Sequence, residues 1–433
     1  MTLRDEVTGL LQELIRLDTV NPPGSETPAA ELLAEYLESN GVHCNLYSRV
    51  PERANLVARI PGRGGPRLAL LSHTDTVLAD PAEWTLETPW SGALRDGEVW
   101  GRGALDMKGQ VAASAVAIAS LAREGFEPTG DLIFTATADE EVGESGNDYG
   151  LSWLCREHPE VMRAEYAVNE GGGDRIEIGG RVLYLCSTAE KASSPFTLRV
   201  RGQSGHGSNP WIAENALVKA APLVERLAQL VPEPRIEPEV AALLELVTGK
   251  QAPPADEVVA LAESIDPFLV LLLRPLLGFT VAPTMIQASK KRNVIPALAE
   301  VTVDTRLLPG QQQDEVEAVI RGWLGEGDYE LDWRESQGGT RSPLDSPLWD
   351  AVSSFVETSE PGAALAPVCL SGFTDSHWMR ESYGTVAYGF FPFRAMDPDT
   401  ASRLIHSADE RIPVDDLELG LDFLRHAALK LLA

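Results

Sequence analysis

Five short stretches of the chain carry imidazole nitrogens and carboxylate oxygens, the ligand atoms that proteins use to hold divalent cations. Ser72-His73-Thr74-Asp75-Thr76 directly follows the apolar run 68–71. In open α/β sheets, ligand-binding side chains gather just beyond the carboxyl ends of strands. At an extended spacing of two, His73 and Asp75 point to one side, where a carboxylate can fix an imidazole tautomer. Gly101-Arg102-Gly103-Ala104-Leu105-Asp106-Met107-Lys108-Gly109 brings Asp106 through a glycine-bracketed loop to the start of an alanine-rich helix. Asp139-Glu140-Glu141-Val142-Gly143 sets three acids after the apolar run 131–137. Such a cluster is costly unless water or cations neutralise it. Asn169-Glu170-Gly171-Gly172-Gly173 follows the run 164–168, and Ile405-His406-Ser407-Ala408-Asp409-Glu410 supplies a second histidine.

Taken singly, each stretch has a plain alternative: a turn with a capping Asp, a helix cap, a solvated acidic loop, a structural histidine. Taken together, three strand ends and one glycine loop in the same half of the chain all deliver oxygen or imidazole. The elements that must position them read as α/β. Strand-length apolar runs at 67–71, 131–137 and 164–168 alternate with helical patterns, including 110–123, which implies βαβ units and a mostly parallel sheet. After residue 191 the pattern changes to strand 195–201, helix 213–230, strands 285–289 and 299–305, helix 312–324 and strand 329–333. That β-α-β-β-α-β order is expected to be a separate inserted domain. The segment 232–283, with prolines near both ends and apolar helical stretches inside, reads as a helical elaboration of it. The expected division is therefore 1–191 and 339–433 for the catalytic domain, with 192–338 inserted as a lid or dimerisation domain.

Composition narrows the functions. With 44% hydrophobic and 23% charged residues, the 433-residue chain has the balance of a folded multidomain protein. Its formal net charge of −29 and lack of a basic stripe argue against nucleic acid as a partner. The first 21 residues alternate acids and apolar residues at helical spacing, as an amphipathic helix and not a signal peptide does. The longest apolar run, 267–279, is interrupted by Arg274 and Pro275, so no membrane span is expected. Cys44, Cys155, Cys186 and Cys369 are widely separated, which fits a reducing cytoplasm better than a disulfide framework.

In family order, the motifs from His73 to His406 resemble the dinuclear zinc metallopeptidase family numbered twenty. That family includes acetylornithine deacetylase, succinyl-diaminopimelate desuccinylase, aminoacylase, glutamate carboxypeptidase and carboxypeptidase S-like enzymes. The resemblance covers essentially the whole chain. It implies that His73 and Glu170 bind one metal, Glu141 and His406 the second, and that Asp106 bridges both. Two Zn²⁺ are implied, with Co²⁺ or Mn²⁺ as substitutes. It further implies that Glu140 is the general base and that Asp75 orients His73.

The inserted domain carries further matches. Gly205-His206-Gly207-Ser208 follows strand 195–201, and in similar enzymes this histidine stabilises the oxyanion, often in a partner subunit's site; the family more often has Ser or Ala where this chain has Gly207. Asn293, in Asn293-Val294-Ile295-Pro296, and Arg306 resemble substrate-contacting positions, although Arg306 next to Asp304 also fits a surface ion pair. Gly372-Phe373-Thr374-Asp375-Ser376 resembles a loop lining the substrate pocket, which adds Gly372, Thr374 and Asp375. The expected activity is metal-dependent hydrolysis of an amide or peptide bond in a small carboxylate-bearing substrate, of carboxypeptidase or dipeptidase type. An N-acyl amino acid hydrolase and a non-catalytic metal-stabilised binding protein are the alternatives. A homodimer through the lid is expected.

Overall fold

In the computed structural model, residues 2–142, 149–334 and 336–433 are described, and Gly143 of the acidic motif lies outside them. The chain divides into two compact units. The first comprises Met1–Thr188, Ser342–Val368 and Thr374–Ala433; the second comprises Ala189–Arg341 and Cys369–Phe373.

The first unit is built on strands too apolar to face water. Leu132–Ala136, Leu68–Leu70, Tyr166–Asn169 and Val386–Gly389 lie side by side and parallel, in registers such as Leu68↔Leu132 and Leu68↔Tyr166. Strands buried on both faces lose the alternation of a half-exposed sheet, which is why these read as continuous apolar runs. Outside this parallel core, Ala54–Ile60 and His43–Ser48 add antiparallel strands at one side, and Arg181–Glu190 joins antiparallel at the other. The helix Lys108–Arg123 is buried from Lys108 to Leu121. Its alanines let the helices Leu3–Ile15 and Val414–Leu432 approach closely. Leu3–Ile15 starts with a reciprocal cap, Thr2 Oγ1 accepting from Asp5 N and Asp5 accepting from Thr2 N, both at 3.1 Å. Each fully buried Leu or Val of these helices contributes roughly 1.5–3 kcal/mol.

The second unit is an antiparallel sheet ordered Tyr329–Trp333, Phe196–Arg201, Leu298–Leu307, Thr280–Gln287. Along Leu298–Leu307 every second residue is buried, giving one face to the core with Phe196, Leu198 and Ile320. Helices Ala216–Ala228 and Gln313–Leu324 pack on that core. The strand expected at 285–289 runs instead from Thr280 to Gln287. Pro283 is accommodated because this is an edge strand and its register shifts between Pro283 and Met285. The elaboration 232–283 contains the helices Pro238–Thr248, Val258–Ile265 and Pro267–Leu273. Two cations tie it down: Arg341 bonds Glu237 at 2.6 Å and Glu239 at 2.9 and 3.0 Å, and buried Lys191 donates to the carbonyls of Pro275 and Gly278. No described helix is long and apolar enough to cross a membrane. All four cysteines are buried free thiols.

Candidate metal centre

Three adjacent parallel strands end on the same side of the sheet. Beyond Leu68–Leu70 stands His73, beyond Leu132–Ala136 stand Glu140 and Glu141, and Glu170 directly follows Tyr166–Asn169. Asp106 enters from the loop before Lys108–Arg123, and His406 from the turn after Pro398–Leu404. Asp106 Oδ1 lies 3.3 Å from His73 Nε2, which is 3.7 Å from Glu170 Oε1. Asp106 Oδ2 lies 2.9 Å from His406 Nε2, which is 3.2 Å from Glu141 Oε2. One carboxylate thus presents an oxygen to each of two clusters. Ligand atoms of His73, Glu140 and Glu170 fall within 4.8 Å of one another, as do those of His73, Asp106 and Glu141.

The electrostatics call for cations. Burial, reinforced by the charge of Glu170, holds Glu140 well above the usual carboxylate range; burial and Asp106 do the same to Glu170, and both also raise Glu141. Burial works against a charged His73, yet Asp106 and Asp75 keep it well above its ordinary value. Asp106 and Glu141 push His406 up to about 10. Among the described residues His73 Nε2, Asp106 Oδ1 and Glu141 Oε1 are buried without a well-formed hydrogen bond. Orphaned atoms of this kind are rare unless something else binds them. Mixed nitrogen and oxygen donors, one histidine to each cluster, fit a pair of divalent ions such as Zn²⁺.

A second layer of buried bonds aims these ligands. His73 Nδ1 donates to the Asp75 main-chain oxygen at 3.0 Å, which leaves Nε2 as the lone-pair nitrogen facing Asp106. The Asp75 carboxylate, 3.4 Å from the same Nδ1, mainly serves the acidic turn: it accepts from Glu140 N at 3.2 Å and Glu141 N at 3.0 Å. Asn21 Nδ2 donates to both Asp75 and Asp139, and Arg53 bonds Asp139 at 2.8 Å and Glu26 at 2.6 and 2.8 Å. Glu410, fully buried, accepts from the main-chain N–H groups of Gly103, Leu105 and Asp106 and pairs with Arg102. Asp139 and His406 both have left-handed backbone, with φ of 67° and 61°, which places local strain at the candidate site. A side chain on Gly173 would put its Cβ 1.7 Å from the Phe391 oxygen, so the turn after Glu170 requires glycine.

Asn21, Glu26, Arg53 and Glu410 were not singled out by sequence. Glu410 lies in the His406 stretch and was within reach of that reading, whereas nothing local links Arg53 to Glu26 or Asp139. Replacing Arg53 by Met strands two buried carboxylates, and the expected loss is about 3–5 kcal/mol of folding free energy. Urea unfolding measures it; an unchanged midpoint would show that the network carries no stability.

The other sequence-derived positions separate between the units. Thr374 and Asp375 belong to the first, where Asp375 Oδ2 accepts from Thr137 at 3.0 Å and burial pushes its carboxyl up to about 7. Thr374 Oγ1 accepts from Asn169 Nδ2 at 3.2 Å. Gly372, His206, Asn293 and Arg306 belong to the second. His206 is exposed, and its Nδ1 engages Ser208, lying 2.7 Å from Oγ and 3.2 Å from the main-chain N. Gly207 N donates to the Asn293 oxygen at 2.8 Å. Arg306 bonds Asp304 at 2.9 and 3.1 Å.

The sequence profile described as peptidase family M20/M25/M40 matches residues 69–430. The chain is 31% identical over 424 residues to succinyl-diaminopimelate desuccinylase of a Methylobacterium species, covering 94% of this chain and 92% of that one. It is 27% identical over 425 residues to the enzyme of the same name from Rhodospirillum centenum, with the same coverage. Among solved structures, the M20 family metallo-carboxypeptidase Sso-CP2 from Sulfolobus solfataricus superposes with a TM-score of 0.74 at 19% identity, covering 99% of both chains. Human carnosine dipeptidase 1 gives 0.69 at 17% identity, covering 99% of this chain and 96% of that one.

Proposed function

The chain belongs to peptidase family M20/M25/M40 and is a hydrolase acting by metal-dependent amide hydrolysis; from that premise we propose that it cleaves an amide or peptide bond in a small carboxylate-bearing substrate, with two Zn²⁺ held by His73, Asp106, Glu141, Glu170 and His406. The observation that carries this reading is Asp106, whose two oxygens face two different histidines, His73 and His406.

When bound, such ions polarise a carbonyl and acidify water. The chain supplies the rest. Glu140, a half-buried carboxylate with raised proton affinity, accepts the proton of the attacking water and returns it to the leaving nitrogen. Asp75 fixes both participants in this step, holding the His73 ring by its carbonyl and the Glu140 N–H by its carboxylate. His206 is the proposed oxyanion donor, its ring oriented through Nδ1 by Ser208. Arg306 and Asn293 are the proposed carboxylate contacts, and Gly372, Thr374 and Asp375 the proposed pocket wall.

Two readings of the substrate are separable. Carboxypeptidase or dipeptidase action releases an amino acid from a dipeptide; N-acyl amino acid hydrolysis releases an acyl acid, and the names of the full-length relatives favour that alternative. Metal content per chain, measured with hydrolysis of a mixed panel of dipeptides and N-acyl amino acids, is expected to give activity that vanishes on chelation and returns with zinc. Metal-loaded protein inert across the panel would point to a non-catalytic role.

We further propose a homodimer through the second unit. Its edge strand Thr280–Gln287 is paired on one side only among the described residues. Met285 and Ile286 on that strand are exposed, as are Trp211 and Val218, with Trp211 88% exposed. An open apolar strand edge is a pairing template. Light scattering is expected to return twice the chain mass, and a monomer mass would remove this proposal.

A further inference from the structure

The second unit contains a cavity of about 640 Å³ whose lining includes Lys290, Lys291, Arg292, Ser289 and Asn215. We propose that it is an anion-binding site, taking the carboxylate or phosphate group of a small ligand on Lys290, Lys291 and Arg292. Nothing in the metal centre uses these residues.

The charge pattern makes the site exceptional. The chain has 65 acidic residues against 36 Lys and Arg, and 290–292 is the one place where basic residues stand next to each other. The stretch 285–297 contains these three cations and no Asp or Glu, and no acid lines the cavity. Most arginines elsewhere find a carboxylate, as Arg53, Arg102, Arg175 and Arg341 do. Among the described residues, Lys290, Lys291 and Arg292 form no ion pair. Over most of so acidic a molecule an anionic ligand meets repulsion, so a local positive pocket decides where it settles.

The cations are also presented from a fixed backbone. Ser289 Oγ donates to the Lys291 oxygen at 2.9 Å and accepts from Lys291 N at 3.2 Å. Val294 N closes the turn onto the Lys291 oxygen at 3.2 Å, and Gly205–His206 pairs with Val294–Ile295 just beyond it. Asn215 and Leu217, at the start of the helix Ala216–Ala228, line the same cavity, so the positive end of that helix adds to the field. Two ammonium groups and a guanidinium exceed what one carboxylate needs, which favours a ligand bearing two negative charges or a phosphate.

The anion can be free in solution or form the distal end of a substrate; the second case rests on the amide-hydrolase reading. Two arms separate them, both on the full chain and on the Lys290→Ala/Lys291→Ala/Arg292→Ala variant, whose changes are all at exposed positions. In the first, calorimetry at low salt follows inorganic pyrophosphate, and the variant is expected to weaken binding at least about tenfold, or 1.4 kcal/mol. In the second, two N-acyl amino acids differ only in an acyl chain ending in carboxylate or methyl. A substrate-borne anion predicts that the variant raises KM for the carboxylate-ended compound at least about tenfold more than for the methyl-ended one. A change in either arm supports the site and names its source; a variant equal to wild type in both overturns it. If wild type hydrolyses neither compound, the amide-hydrolase reading fails on these substrates, and the pyrophosphate arm still decides the pocket.

Discussion

Glu140→Gln is expected to keep its full metal content and lose about 10²–10⁴ of kcat, the range that a positioned proton-transfer group supplies. The amide is isosteric with the carboxylate, so the turn bonded to Asp75 through the Glu140 and Glu141 N–H groups stays in place. What disappears is the ability to take a proton. Of the clustered acids, Glu140 is the one proposed for this work, because Asp106, Glu141 and Glu170 each lie within 4 Å of a histidine nitrogen, as co-ligands of a cation would. KM should move less than kcat, since the proton is in flight only in the transition state. Metal analysis and steady-state kinetics on the same preparation test this together. A metal-loaded variant with near wild-type turnover would transfer the base role to another group, and a variant that has lost metal would make Glu140 a ligand.

The parts of this picture visible in the sequence are those with local signatures. Tyr329–Trp333 falls at its expected position, and the parallel strands emerge from the runs 67–71, 131–137 and 164–168 because burial on both faces leaves them uniformly apolar. Each candidate ligand stretch has a plain alternative when taken singly, and the set stands out only because three strand ends and one glycine loop in the same half deliver oxygen or imidazole together. The strand Thr280–Gln287 starts before the expected 285–289 because Pro283, ordinarily unfavourable inside a strand, is tolerated at an edge position with a register shift. Arg53, Glu26 and Asn21 were invisible for a different reason. Each has an ordinary local setting, Asn21 before two prolines and Glu26 at a helix start, and their shared network exists only after the chain has folded. Asp75 shows the limit of spacing within a single candidate residue. Spacing puts it beside His73, but it does not reveal that the main-chain oxygen holds the ring while the carboxylate holds the acidic turn.

Asp106→Asn should have the larger effect on metal, and the size of its effect on stability depends on whether metal is present. Asp106 gives one oxygen to the His73 side and the other to the His406 side, so losing its charge weakens both positions at once. Several kcal/mol of charge stabilisation in the transition state rest on that arrangement, which corresponds to a loss on the order of 10³ or more in kcat. Without metal, however, the Asp106 charge raises the proton affinity of both Glu141 and Glu170, so its removal relieves repulsion that partly offsets the lost contacts with His73 and His406. The metal-free variant is therefore expected to melt close to the metal-free wild type. Zinc should then separate them: a ligand at about a thousand times its Kd stabilises the native state by about 4 kcal/mol, and the variant forgoes much of that gain. Thermal melts of both proteins, with chelator and with excess zinc, read the difference directly. Equal zinc-induced shifts would mean that Asp106 does not join the two clusters, and the dinuclear reading would fall with it.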